Sequence, residues 1–551
     1  MNFQAGRLIM EKIKEIILAA VPEAILEDKQ VLTVTVEADQ LRLLAKTLHD
    51  NKELPFDFLS QLIGMDWGDS LGVLYLLSSS ADLSKQLLIK TAVKDRQNPL
   101  LYTVSDIWET ANLNEREVYA FFGIRFINHP DMRRFILNDD WHGFPFRKDY
   151  DEDPAINPLS LESKEIVDVA PRIIETPNGL KEEKIPVFDK DDYIINIGPQ
   201  HPSMHGVMHF RTSLEGEIVK KIDVHSGYIH RGIEKLSEKL TYPQILHFTD
   251  RLDYLSANIN RHALCMCVEK AASIEIPERA EYIRVIMDEL NRIESHLLAW
   301  ACMCNDLGAI TAFIYGMRER EMILDIFEKT SGGRLIINYN VVGGVMFDIY
   351  KDFQKDTKAF IIHMRESLKE YHRLFSGNVI ALGRMVGIGI MKKEDAVSYG
   401  VTGPAGRGSG WSCDLRKYLP YSIYDRVEFT EVIRTECDSY ARYLNRLDEI
   451  EESLKIIEQL VDNIPEGDFQ AKTKAIIKIP EGQYFQRVET ARGDFGVFIE
   501  SHGDKNPYRL KFRSPSMALV SIMPLICKGE KLSDLIGIGG SMDYVIPDID
   551  R

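Results

Sequence analysis

The segment Gly198-Pro199-Gln200-His201-Pro202-Ser203-Met204-His205-Gly206 places two imidazoles in a short loop bracketed by prolines and glycines. Proline fixes φ and glycine permits positive φ, so such a loop holds a side chain at one point in a cavity. Imidazole titrates near neutral pH, which suits a proton donor. The competing reading is a tight connection between strands with incidental histidines, and the loop alone leaves both open. A second candidate lies on a helical stretch. Glu289, Arg292 and His296 fall at spacings of three and four, so they share a face on which a carboxylate, a guanidinium and an imidazole can interact, as a polar coupling face or as a structural ion-pair face. Two cysteine pairs, Cys265-Met266-Cys267 and Cys302-Met303-Cys304, resemble halves of a metal site. Residues two apart on a helix point to nearly opposite faces, so neither pair chelates one ion without unwinding.

These groups need elements to carry them. At 551 residues the chain exceeds the size at which a single core stops growing, so two or more domains are expected. From Val31 to Val93 the pattern reads strand (31–37), helix (40–51), then strands near 57–63, 72–78 and 86–91, a small layered α/β domain. A helix over 104–122 follows, then an irregular stretch, 129–150, rich in aromatic and charged residues. Between about Asp151 and Asp192 the sequence turns proline- and charge-rich without periodicity, as a tether would. This predicts a domain over 1–150, a linker over 151–191 and a larger domain over 192–551. The larger one opens with strands over 193–197 and 207–214. It then becomes mainly helical, with an apolar stripe through Ile283, Ile286, Met287, Leu290, Ile293, Leu297 and Ala301 and a second long amphipathic helix over 438–461. The fold class expected is α+β in two domains.

Composition excludes several functions. With 67 basic and 84 acidic residues the net charge is −17, which repels phosphate backbones and speaks against nucleic acid as a partner. No apolar run reaches the roughly 18 to 20 residues that span a bilayer. The first twenty residues read as an amphipathic surface helix, not a signal peptide. Seven cysteines in so long a chain form no disulfide framework and point to a reducing compartment. There is no Walker loop and no strand-GxGxxG-helix unit. There is likewise no serine nucleophile elbow, HExxH or EF-hand pattern, so ATP, NADH and ordinary hydrolase chemistry lose support.

The motifs line up across nearly the whole chain with one family. GPQHPSMHG, HSGYIHRGIEKL (225–236), TDRLDY (249–254), PERAEYIRV (277–285), NDLGA (305–309), RGSG with DLRK (407–417), NPYRLKFRSP (506–515) and the terminal Asp550-Arg551 resemble the 49 kDa, D-type component of respiratory complex I. DIWETANLNEREVYAFFGIRF (106–126) and HPDMRRFILNDDWHGFPFRKDY (129–150) resemble the 30 kDa, C-type component, and fusion of the two is a known arrangement in bacteria. The resemblance implies that the larger domain has the fold of the nickel-iron hydrogenase large subunit with flanking β-strands. The hydrogenase cysteine pairs correspond here to Asp253 and Ser256 and to Val545 and Asp548, so no thiolates remain to hold nickel and iron.

What the resemblance implies for function follows residue by residue. In this family the vacated cavity takes a quinone headgroup. His205 and Tyr254 contact it, Asp306 pairs with the histidine, and His201, Met204 and Gly206 complete the loop. Quinone is the substrate, and the chain itself binds no metal or cluster. Electrons come from a [4Fe-4S] cluster in a B-type partner, with Arg231 beside it. I-type iron-sulfur and H-type and A-type membrane subunits complete the expected partners, on the cytoplasmic side of the cell inner membrane. The implied activity is proton-translocating quinone reduction with NADH or another donor. Its alternatives are an energy-converting hydrogenase large subunit and a non-catalytic assembly scaffold. Three departures from the family stand out: Ile336 where many members carry a histidine near the cluster, Val341-Val342 before Gly343-Gly344, and Ala120. Since Ile336 cannot titrate, the cluster's potential is expected to depend less on pH.

Overall fold

The computed structural model describes residues 2–152, 167–201 and 206–551. The chain divides into two compact units, one of Met1–Asp192 with Val397–Gly400, the other of Tyr193–Ala396 with Val401–Arg551.

The smaller unit opens with helix α1 (Asn2–Ala20), which buries Ile13 and Ile17. Strands β1 (Ile25–Asp28), β2 (Leu32–Val36), β3 (Phe58–Asp66), β4 (Leu71–Ser79) and β5 (Asp82–Val93) form one sheet in the order β1-β2-β5-β4-β3. Only the β2–β5 pair is parallel, and helix α2 (Leu41–His49) lies between β2 and β3 in the chain. Strands β3 and β4 are buried throughout, the pattern of strands covered on both faces.

The helix expected over 104–122 begins later, as α3 (Ala111–Phe122). The Glu115 carboxyl accepts from the Val104 amide at 2.9 Å and lies 2.5 Å from Thr103 Oγ1. Those bonds hold the preceding residues in turns, the usual competition between a local side-chain bond and a helix. The irregular stretch after α3 packs on its own unit. Phe146 stacks on Phe121 with centroids 4.1 Å apart, and the guanidinium groups of Arg134 and Arg147 lie over the Phe144 ring.

The expected linker contains regular structure. Strands β8 (Val169–Thr176) and β9 (Gly179–Pro186) form a hairpin that joins β6 (Leu100–Tyr102) and β7 (Arg125–Ile127) in a four-stranded sheet. The hairpin's second strand reads as tether because the charged run Lys181-Glu182-Glu183-Lys184 masks the period-2 pattern on a largely exposed strand.

The larger unit starts with an antiparallel sheet, β10 (Tyr193–Ile197), β11 (His209–Glu215) and β12 (Ile218–His225). Its core is helical: α4 (Ala257–Ala272), α5 (Glu278–Asp306), α6 (Ile310–Ser331), α7 (Phe353–Tyr371) and α8 (Ser439–Val461). The stripe predicted on α5 is fully buried. Helix α5 begins with Glu278 and Glu281 in its first turn, where the helix dipole favours negative charge. Just past its end Gly308 takes φ +88°, which terminates the helix with Asp306 in its last turn. A second sheet, β13 (Gly482–Thr490), β14 (Gly493–Ser501) and β15 (Arg509–Arg513), packs on α4. Helices α9 (Leu532–Met542) and α10 (Ile546–Asp550) close the chain.

Candidate functional site

Tyr254 lies half-buried in the turn before α4, and burial raises its pKa above the usual phenol value. The charge of Arg492 opposes that rise, while Asp253, Cys302 and Asp543 add to it, so these groups surround the phenol. Among the described residues its hydroxyl makes no hydrogen bond. Three buried tyrosines elsewhere in the unit are spent: Tyr424 donates to Glu289 at 2.6 Å, Tyr371 to Glu319 at 2.6 Å and Tyr339 to the Phe347 carbonyl at 2.7 Å. Tyr254 thus keeps a donor for a ligand.

Cys302 and Asp306, four apart at the end of α5, share one helix face. Burial pushes the Cys302 thiol up to about 11, with the Asp543 and Asp306 charges adding to the effect. A Cβ added at Gly540 would lie 3.6 Å from Asp306 Oδ2, so the carboxyl faces α9. The charges of Asp253 and Asp548 also act on each other. Asp548 is fully buried and accepts from Ser514 Oγ at 2.6 Å and the Ser516 amide at 3.2 Å. Burial, helped by the charge of Asp253, raises its pKa to about 6.

The loop that opened the sequence reading is described only at its ends. Met204 and His205 lie outside the described residues. His201 is exposed at the start of the loop, and Gln200 bridges to Val207 across its base. Gly206 sits against Ile546: a Cβ there would come 2.5 Å from the isoleucine side chain, so only glycine allows the loop to return beside α10. Helix α10 is held by the segment following β12. The Asp550 carboxylate accepts from the Gly227 and Ile229 amides at 2.7 and 3.0 Å, and His230 Nδ1 donates to its carbonyl. Arg231, one residue on, is exposed. Its sequence neighbour Glu234 is engaged by Arg509, Lys511 and Arg551, which hold its carboxyl at about 2 despite full burial.

Glu289, Arg292 and His296 are fully buried. Arg292 Nε stands 3.3 Å from Glu289, while Arg416, Tyr424 and Ser453 also bond that carboxylate. His296 turns away from Arg292 to Glu449 at 3.2 Å, and Glu449 meets Arg407, which meets Glu489. Sequence reading found the face but not its partners, which lie 127 to 164 residues away in the chain. It also missed Arg492, a buried arginine in a two-residue strand connection, where a charged residue normally faces water. Among the described residues, no group of three or more His, Cys, Asp or Glu side chains is arranged to hold a metal ion, and no helix is long and apolar enough to cross a membrane.

The chain thus carries an α+β unit over its first third and a mainly helical unit that holds Tyr254. The sequence model for the respiratory-chain NADH dehydrogenase 30 Kd subunit matches residues 34–155, and that for the 49 Kd subunit matches 306–479 and 469–551. The C/D subunit of NADH-quinone oxidoreductase from Phocaeicola vulgatus is 56% identical over 520 residues, covering 94% of this chain and 99% of the relative. That of Bacteroides thetaiotaomicron is 54% identical over 526 residues, 92% of this chain and 99% of the relative. The separate D subunit of NADH-quinone oxidoreductase from Bacillus mycoides is 47% identical over 361 residues, 65% of this chain and 99% of its own length. The chain belongs to the fused C/D subunits of NADH-quinone oxidoreductase, respiratory complex I. It is a component of an oxidoreductase that works with the other subunits of that complex, and the hydrogenase alternative is not favoured.

Proposed function

We propose that the larger unit forms one wall of the quinone-reduction site, with Tyr254 as one proton donor to the headgroup and His205, supported by Asp306, as the other. Reducing a quinone to quinol takes two electrons and two protons, and negative charge develops on oxygens at opposite ends of the ring. Two donors are therefore needed. The observation that carries the reading is the Tyr254 hydroxyl, half-buried among charged groups with its hydrogen-bond donor unspent among the described residues. A neutral phenol donates a hydrogen bond readily, but gives up its proton only when a developing anion pulls on it. The packing of Ile546 on Gly206 supports a loop that returns beside α10, with His201 and Met204 assigned to complete it.

The [4Fe-4S] cluster of a B-type partner supplies the electrons. The exposed guanidinium of Arg231 is the group of this chain assigned to face it, a reading supported by Glu234 being engaged by three other cations. Ile336, in place of a titrating histidine, gives that cluster a potential with weak pH dependence. Glu289, Arg292 and His296 are assigned as the coupling face, supported by the run of buried ion pairs from His296 through Glu449 and Arg407 to Glu489. The hydrogenase-large-subunit fold is assigned to the larger unit, supported by the charges of Asp253 and Asp548 acting on each other. H-type and A-type membrane subunits hold the chain at the cytoplasmic face of the inner membrane, and an I-type subunit joins the B-type on its electron-entry side.

The test is Tyr254→Phe in the assembled complex. Quinone reduction is expected to fall about 100-fold, within the range for loss of a proton donor. NADH oxidation by a hydrophilic artificial acceptor should stay at the wild-type rate. Full quinone reductase activity would overturn the proposal and favour a scaffold.

A further inference from the structure

Arg492 occupies the two-residue connection between β13 and β14, yet it is 1% exposed. One terminal nitrogen of its guanidinium donates to Asp253 Oδ2 at 2.8 Å and Ser295 Oγ at 2.9 Å, the other to Asp543 Oδ1 at 3.2 Å. Its Nε donates to the Asp543 carbonyl at 2.8 Å. One planar fork therefore ties together the turn before α4, the middle of α5 and the end of α9, and Asp253 is the residue next to Tyr254. A lysine places one point charge where this fork places several directed donors.

The charges facing this group come from every element around it. Asp253 and Asp543 bear on both Arg492 and Tyr254. Glu294, paired with Arg320, feels the Arg492 charge from α5. Arg446 of α8 has Nε 3.7 Å from Asp543 Oδ2, and the charge of Asp253 acts on Asp548. Cys302 of α5 also acts on the phenol through its charge. Of the groups acting most strongly on Tyr254, Arg492 is the one whose charge favours the phenolate.

We propose that Arg492 is the positioning residue for proton transfer from Tyr254: it locks Asp253, and with it the turn that aims the phenol, and its charge offsets the phenolate formed in the reaction. The inference rests on the reading of Tyr254 given above. In the step the Tyr254 O–H bond breaks and an O–H bond forms on a quinone oxygen. The two electrons come from NADH through the complex, and the phenolate later regains a proton from solvent. Preorganised charge aimed at where charge develops is worth most in a site shielded from water.

The experiment uses the purified complex carrying Arg492→Gln, Arg492→Lys, Tyr254→Phe and each Arg492 variant combined with Tyr254→Phe. Activity with the artificial acceptor controls for assembly. Arg492→Gln should lower kcat for quinone about 30-fold with KM within about threefold, and its solvent deuterium isotope effect should rise as proton transfer becomes limiting. Arg492→Lys should recover at least about tenfold of that loss, because the charge returns without the fork. Neither Arg492 variant should cost anything further in the Tyr254→Phe background. Equal losses in the Gln and Lys variants, an effect confined to KM, or full additivity with Tyr254→Phe would overturn the proposal. If Arg492→Gln does not assemble, Arg492→Lys carries the test: its smaller loss of kcat must vanish in the Tyr254→Phe background, and additivity there overturns it. A fully active Tyr254→Phe complex sinks the parent reading, whereas an inactive Tyr254→Phe beside a fully active Arg492→Gln sinks this inference alone.

Discussion

Two carboxyl groups buried to the same degree, Glu115 in the smaller unit and Glu289 in the larger, are driven in opposite directions. Glu115 meets a threonine hydroxyl, a backbone amide and His129 Nε2 at 3.8 Å, and burial pushes its pKa up to about 8. Glu289 meets Arg292, Arg416, Tyr424 and Ser453, and is held at about 2. Burial alone neutralises a carboxyl, and a cation in hydrogen-bond contact reverses the outcome. Around Glu115 the smaller unit thus keeps a buried polar site whose carboxyl holds its proton at pH 7. The larger has a core of ion pairs on α5, the helix that carries Asp306 and Cys302 at its end.

The comparison is broken most forcefully by Arg416→Met. Arg416 pairs with Asp414 at 2.7 Å and with Glu289 at 3.1 Å, all three buried. Removing one member strands buried charge, so a loss of about 3–5 kcal/mol is expected. It should appear as a lowered thermal midpoint for the larger unit, with the smaller unit's transition unmoved. An unmoved transition for the larger unit would mean the pairs contribute no net stability.

The reverse substitution, Glu115→Gln in the smaller unit, should stabilise. A folded-state pKa raised from 4.5 to about 8 means the folded form keeps a proton that the unfolded chain releases. The stability this group contributes is full below pH 4.5 and is lost as pH rises to 8, at about 1.4 kcal/mol per pH unit. Glutamine needs no proton, so at pH 7 the variant should unfold at higher temperature or denaturant than wild type, by a few kcal/mol on that scale. No gain at pH 7 would mean that the Arg42 charge already outweighs burial and keeps Glu115 ionised.

How much of this was legible in sequence follows the same division. The apolar stripe of α5 and the long α8 were readable because their period is local, and the family was readable because its motifs keep their order. The larger unit's ion-pair network was not, since α5 shows Glu289 and Arg292 while Arg416, Tyr424 and Ser453 come from distant segments. Arg492 was hidden for the same reason, 239 residues from Asp253. In the smaller unit the late start of α3 was hidden by Glu115 itself, whose bonds to residues 103 and 104 hold turns where the apolar pattern reads helix. Strand β9 was hidden by charge, because an exposed strand has no apolar face to announce it.

The pH profile sharpens the comparison furthest, because it concerns a slope that wild type should lack between pH 4.5 and 6.5. His129 beside Glu115 is also neutral: its Nε2 stands 3.1 Å from the Asn112 carbonyl, Nδ1 accepts from the Asp131 amide at 3.0 Å, and burial lowers its pKa from 6.5 to about 4. The two groups are therefore not an ion pair at pH 7. A depressed histidine contributes stability that is present above pH 6.5 and is lost as pH falls to 4, the opposite sign to Glu115. Between pH 4.5 and 6.5 the folded unit holds one proton on Glu115 and the unfolded chain holds one on His129, so the two slopes cancel. From 6.5 to 8 only the Glu115 slope remains, and wild-type stability should fall. Glu115→Gln removes one of the opposing slopes, so the variant's stability should climb between pH 4 and 6.5 and then stay level. Denaturant unfolding of the smaller unit's transition across that range reads this directly. A variant curve parallel to wild type would show that Glu115 and His129 do not titrate as this core requires.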